Sequence, residues 1–177
     1  MSQPPVLVWV GAVTTRPVIS RPKSKAAARA CRTAATKAAA LALLSRDETV
    51  PVLPGFSLTL GFNEGSSFGM LSDVMAGKPL LMAALTGFLT LIFAVMAVRA
   101  PRPFERAGLA LVVGGALGNI IDRLRQGAVT DFLDLYWRDW HWPTFNVADI
   151  AITLGAVCIL AASLPARRRK EPVLDQH

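Results

Sequence analysis

Histidine and cysteine are almost missing from this chain, which has only His141, His177, Cys31 and Cys158. None of these has the spacing of a metal site, and no Ser-His-Asp or His-Glu-x-x-His pattern occurs. That leaves zinc chemistry and histidine-activated nucleophiles without a basis in the sequence. Cys31 and Cys158 are not expected to pair, and Cys158, inside an apolar segment, reads as a small buried side chain. Charge is scarce too. Only 18% of residues are charged while 53% are hydrophobic, and the mean hydropathy of +0.43 is too high for an ordinary soluble domain. The net charge is +7, but the basic residues cluster at 16–37, 99–106 and 167–170. The last two clusters flank apolar segments, as cytoplasmic anchors do, so no nucleic-acid partner is expected.

Three apolar runs are present. Pro79 to Val98 holds twenty residues without a charge, enough to span a bilayer as a helix. Arg99, Arg102 and Arg106 follow, among the helix-breaking Pro101 and Pro103. Ala107 to Ile121 is the second run, with Gly114 and Gly118 at the spacing that lets two helices approach closely. Val147 to Leu164 is the third, interrupted by Asp149. The positive charge of 99–106 and of the tail places both in the cytoplasm, and so places 45–78 and 122–146 outside. Segment 122–146 holds Tyr136, Trp137, Trp140, His141 and Trp142, aromatics that settle at headgroup level. In 50–70, alternation at Leu58, Leu60 and Phe62 predicts a short strand and Asn63-Glu64-Gly65 a turn, a small β element on the outer face. Residues 1–30 show no usable periodicity, and a basic stretch follows the short apolar run Val6 to Val13, unlike a signal peptide.

Asp131 and Asp149 lie in apolar, aromatic-rich surroundings near segment ends. A carboxylate there is costly and by default suggests function. Two of them can form a pair that activates a water molecule. Each could instead satisfy a helix end, pair with Arg123 or Arg125, or serve a proton relay in a small transporter, although acids near one surface fit a relay poorly. Asn119, Asp122 and Arg123 share one helical face, either as support for the site or as a structural polar knot with an Asp122–Arg123 ion pair. Asn146, three positions before Asp149, is placed to orient that carboxylate. Asp134 and Asp139 read as solvated surface acids.

Gly114-Gly-Ala-Leu-Gly-Asn-Ile-Ile-Asp-Arg123, Gly127-Ala-Val-Thr-Asp-Phe-Leu-Asp134 and Phe145-Asn-Val-Ala-Asp149 together closely resemble the lipoprotein signal peptidase (signal peptidase II) family. Pro54-Gly-Phe56, Asn63-Glu-Gly-Ser-Ser-Phe-Gly69 and Thr36-Lys37 extend the resemblance over about 33–165. At the family's Asp-Gln-x-Thr-Lys motif this chain departs, with Thr33 where the acid stands. The resemblance implies a four-helix transmembrane bundle, an all-α membrane protein with a small extracytoplasmic β element. It also implies an aspartyl endopeptidase of the bacterial plasma membrane. Such an enzyme cuts signal peptides from diacylglyceryl-modified prolipoproteins just before the lipidated cysteine, at the extracytoplasmic face. Asp131 and Asp149 take the catalytic positions; Asn63, Asn119, Asp122, Arg123 and Asn146 take supporting ones. No metal or cofactor is expected. The expected partners are lipid-modified prolipoproteins and membrane lipids, and the expected state is a monomer. The organisation expected is an atypical stretch 1–35, a peptidase domain 36–166 and a basic tail 167–177. The departure at Thr33 leaves open a non-catalytic relative that binds lipidated precursors.

Overall fold

The computed structural model describes residues 25–46, 48–65 and 78–164. Among them are four helices, α1 (Lys25–Leu43), α2 (Pro79–Arg99), α3 (Pro103–Gln126) and α4 (Val147–Ser163). Four strands, β1 (Thr49–Leu53), β2 (Phe56–Asn63), β3 (Val129–Trp137) and β4 (Trp140–His141), form one antiparallel sheet in the order β1-β2-β3-β4. The fold is therefore mostly helical with a small sheet, and that sheet is larger than the single short element expected over 50–70.

Helix α3 is the centre of the molecule, with α1, α2 and α4 all packed on it. Small residues make this possible. A Cβ on Gly118 would come within 2.5 Å of the Thr33 hydroxyl, and one on Gly115 within 2.5 Å of the Ala148 carbonyl. The Gly114 and Gly118 spacing thus serves α1, while Gly115 on another face of α3 serves α4. Proline stands at the start of both α2 and α3, where its missing N–H costs nothing. Arg106 closes the short link between these helices by donating from Nε and Nη2 to the Ala100 carbonyl, at 3.2 and 2.8 Å.

Helix α1 runs into the stretch 1–30 in which the sequence shows no usable periodicity. Residues 1–24 lie outside the described residues, but the helix begins at Lys25, well before the boundary at 35. Alanine dominates it and has the highest helix propensity. Its buried face is Ala30, Thr33, Lys37 and Ala40, spaced three, four and three apart. That is a helical stripe of small and polar residues, which a search for apolar periodicity passes over.

By length and composition, α2 and α3 can cross a membrane, with mean hydropathies of 2.4 and 1.4; α4 is a shorter apolar helix. Only 11% of the most apolar window of α2 is buried in the molecule. Leu81, Leu85, Phe88, Leu89 and Ile92 stand exposed along it, a continuous apolar surface that water would not tolerate.

Gly127 ends α3 in the left-handed conformation, φ 80°, and its N–H reaches the Arg123 carbonyl at 3.1 Å. The chain turns straight into β3, so Asp131 stands on a strand and not on a loop between membrane segments. Gly61 of β2 faces Asp131, and Asn63 faces Val129. On the other side, Phe145 N donates to Leu133 O at 3.0 Å while Phe132 N and Leu133 N donate back to Phe145 O. Asn146 is thereby laid beside Asp131 at the point where α4 begins.

Candidate active site

Asn146 joins the two aspartates. It caps α4, its Oδ1 accepting from Ala148 N (2.7 Å) and Asp149 N (3.3 Å), and Asp149 Oδ2 accepts the Asn146 backbone N–H at 3.0 Å. This reciprocal capping box fixes the Asp149 rotamer. The Nδ2 amide of Asn146 then donates to Asp131 Oδ1 at 2.6 Å. One residue holds one carboxylate by its backbone and the other by its side chain.

Asn119 supplies the next tie, donating from Nδ2 to Asp149 Oδ1 at 2.8 Å. Its Oδ1 accepts from Lys37 Nζ at 2.6 Å, and the same ammonium reaches Asp122 Oδ2 at 2.7 Å. A buried ammonium can only donate, so it requires the oxygen of Asn119 and turns the amide nitrogen toward Asp149. Asp122 also accepts Thr130 N at 3.0 Å, which ties the end of α3 to the strand carrying Asp131.

Lys37 was not among the residues expected at the site. It is 2% exposed and lies 85 positions from Asp122 in the chain. The one signal for it in the sequence was its place in Thr36-Lys37, the end of a matched motif. Its pairing with Asp122 takes the place of the Asp122–Arg123 ion pair that was one of the two alternatives. Among the described residues Arg123 makes no salt bridge, and its buried Nε has no hydrogen-bond partner. Arg123 instead lies half-buried within the field of Asp131, Asp149 and Asp122. Asp134 corrects the expectation of a solvated surface acid. It is 4% exposed, bonded to His141 Nδ1 at 3.0 Å and to the Thr59 hydroxyl at 3.3 Å, whereas Asp139 is exposed as expected.

Burial pushes the Asp131 carboxyl up to about 6, and the nearby charge of Asp149 adds to this. Hydrogen bonds from Asn146 and Asn63 and the charge of Lys37 oppose the rise. The two aspartates therefore sense one another. Both line a cleft of about 800 Å³. Its polar end also holds Asn63, Asn119 and Arg123, and Met82 of α2 with Ile150 and Leu154 of α4 are among its apolar walls. Of the expected supporting residues, Asn63, Asn119 and Arg123 line the cleft, while Asn146 is fully buried beside the two aspartates and Asp122 is joined to Asn119 through Lys37. No group of three or more His, Cys, Asp or Glu residues is arranged to hold a metal ion among the described residues.

The family described as Signal peptidase (SPase) II matches residues 32–165. A lipoprotein signal peptidase of Yersinia pseudotuberculosis serotype O:1b is 43% identical over 115 residues, covering 64% of this chain and 68% of that protein. A lipoprotein signal peptidase of Yersinia pestis (strain Pestoides F) is 42% identical over the same length. A solved structure described as a bacterial membrane enzyme superposes with a TM-score of 0.68 at 27% identity, covering 78% of this chain and 89% of the other. A second, also described as a bacterial membrane enzyme, gives 0.69 at 27% identity. With its ordered motifs, its apolar helices and this match over most of its length, the chain belongs to the signal peptidase II family, membrane proteases that process lipoproteins.

Proposed function

We propose that this protein removes signal peptides from diacylglyceryl-modified prolipoproteins, with Asp131 and Asp149 as a catalytic dyad acting through a water molecule. The observation that carries the reading is the double hold of Asn146 on both carboxylates at the polar end of an apolar cleft. The partners divide the roles. Asp131, held up to about 6 by burial, keeps the proton. Asp149 sits at the N-terminus of α4 and accepts from Asn119 and the Asn146 backbone, surroundings that suit the negative charge. Asp149 takes a proton from water, and the oxygen attacks the scissile carbonyl carbon. The Asp131 hydroxyl donates to the carbonyl oxygen as charge develops on it. The proton held by Asp149 then passes to the departing nitrogen. The products are a signal peptide with a new carboxylate and a lipoprotein with a free amine on its lipidated cysteine.

Helices α1 to α4 span the bacterial plasma membrane in this reading, with Arg99, Arg102 and Arg106 on the cytoplasmic side and the sheet outside. The exposed apolar length of α2 and the exposed Trp137, Trp140 and Trp142 support that orientation. The substrate's acyl chains would lie along Met82, Ile150 and Leu154, setting the depth of the peptide bond at the dyad. Asp131→Asn and Asp149→Asn are each expected to lower cleavage of a lipidated precursor by at least about a thousandfold, with helical content unchanged by circular dichroism in detergent. Substantial turnover by either folded variant removes the dyad.

A further inference from the structure

At the opposite end of the molecule a second cleft of about 460 Å³ lies between α1 and α2, on the surface of α3. Its walls are Ala26, Ala97, Val98, Pro103, Ala107 and Ala110, and two cations, Arg29 and Arg106, line it. The close approach of α1 fixes Arg29 in place. A Cβ on Gly114 would stand 2.8 Å from the Arg29 Cβ, so the side chain starts at the α1–α3 contact. From there it runs two turns back along α3, where Nη1 donates to the Ala107 carbonyl at 3.3 Å. Arg106 donates Nε and Nη2 to Ala100 O. A guanidinium carries five N–H groups, so both arginines keep donors that no described residue accepts. Glu105 is the one acid at this end among the described residues, and it does not line the cleft.

We propose that this cleft holds one anionic phospholipid of the cytoplasmic leaflet. Its phosphate lies between Arg29 and Arg106, and its glycerol and first acyl carbons lie against the alanine-lined groove. Guanidiniums fit phosphate oxygens in a forked geometry, and apolar walls under a basic rim distinguish a lipid from a soluble anion. The charge of the exposed Arg99 and Arg102 adds a diffuse attraction. The assignment rests on the membrane orientation proposed above.

The test uses the full chain in detergent. Native mass spectrometry counts bound phosphatidylglycerol, phosphatidylcholine of the same acyl chains, and inorganic phosphate. Phosphatidylglycerol is expected to bind about thirtyfold tighter than phosphatidylcholine, and Arg29→Gln with Arg106→Gln to erase that preference. Arg99→Gln with Arg102→Gln removes the same charge outside the cleft and is expected to change the preference less than about threefold. Ala110→Leu fills the groove without altering charge and is expected to weaken both lipids. Equal binding of the two lipids, equal losses in the two double variants, or displacement of the lipid by millimolar phosphate overturns the proposal. Cleavage of a lipidated precursor is measured on every variant. It reports folding and tests the dyad separately, so loss of lipid preference with intact cleavage leaves the peptidase reading untouched.

Discussion

Asp131 is 2% exposed and accepts the side-chain amide of Asn146. Its carboxyl is raised from 3.8 to about 6, so the folded protein binds more protons there than the unfolded chain between about pH 4 and 6. Stability from this group falls as pH rises through that window, by about 3 kcal/mol at most. In the proposed mechanism the same proton is needed for cleavage. Cleavage is expected to fall as pH rises through about 6, the apparent value belonging to the pair rather than to one acid. Asn146→Ser tests the arrangement. Serine keeps the helix cap but lacks the amide that donates to Asp131. Because that donation lowers the Asp131 value, its loss is expected to move the alkaline limb of the pH–rate profile upward by up to about one unit. An unchanged limb in a folded variant means that Asp131 does not set it.

At the scale of elements, the pairing of Lys37 with Asp122 pins α1 to the end of α3 and, through Thr130, to the start of β3. Both charges are largely out of water, and the ammonium donates to two oxygens. Removing one partner strands the other. Lys37→Met is expected to cost about 3–5 kcal/mol, read as a fall in unfolding temperature in detergent, with Asp122→Asn recovering much of it in the double variant. A single variant as stable as the parent means the pair contributes nothing to the fold. Thr33 fits the same picture. Its hydroxyl donates within α1 to Ala30 O at 2.9 Å and packs on Gly118. A neutral side chain therefore fills the place of the family's acid with its hydrogen bond satisfied locally.

Taken whole, the molecule turns apolar side chains outward along its helices and gathers its buried charge at one end. Asp131, Asp149, Asp122 and Lys37 meet where α3, α4 and the sheet converge, beside a cleft with apolar walls. A peptide carrying acyl chains can lie in such a cleft with its chains against α2 and α4. In the proposed reading a precursor lacking the diacylglyceryl group loses that register. Its cleavage is expected to fall at least a hundredfold, because misplacement by about an ångström costs that much. The comparison uses one precursor sequence with and without the modification in the same detergent. Equal rates take the lipid out of recognition and leave a general membrane protease.

Local chemistry alone determined a great deal here. Twenty uncharged residues from Pro79, proline in the first turn of α2 and α3, Gly127 after α3, and Asn146 before an apolar run each act within a turn or two of chain, and each is visible in the sequence. Asp131 and Asp149 stood out for the same reason, as charges where the neighbours are apolar. Tertiary structure decided what those groups touch. Strand β3 is rich in β-branched and aromatic residues, yet its first four residues are all buried, so it lacks the period-two pattern that announces a strand. Lys37 lies on a helix whose buried stripe is small and polar, and its partners are 82 and 85 positions away. Asp134 is buried by Thr59 and His141 from neighbouring strands. A buried charge is stabilised only by partners brought to it through packing, and no local pattern in the chain records which those are.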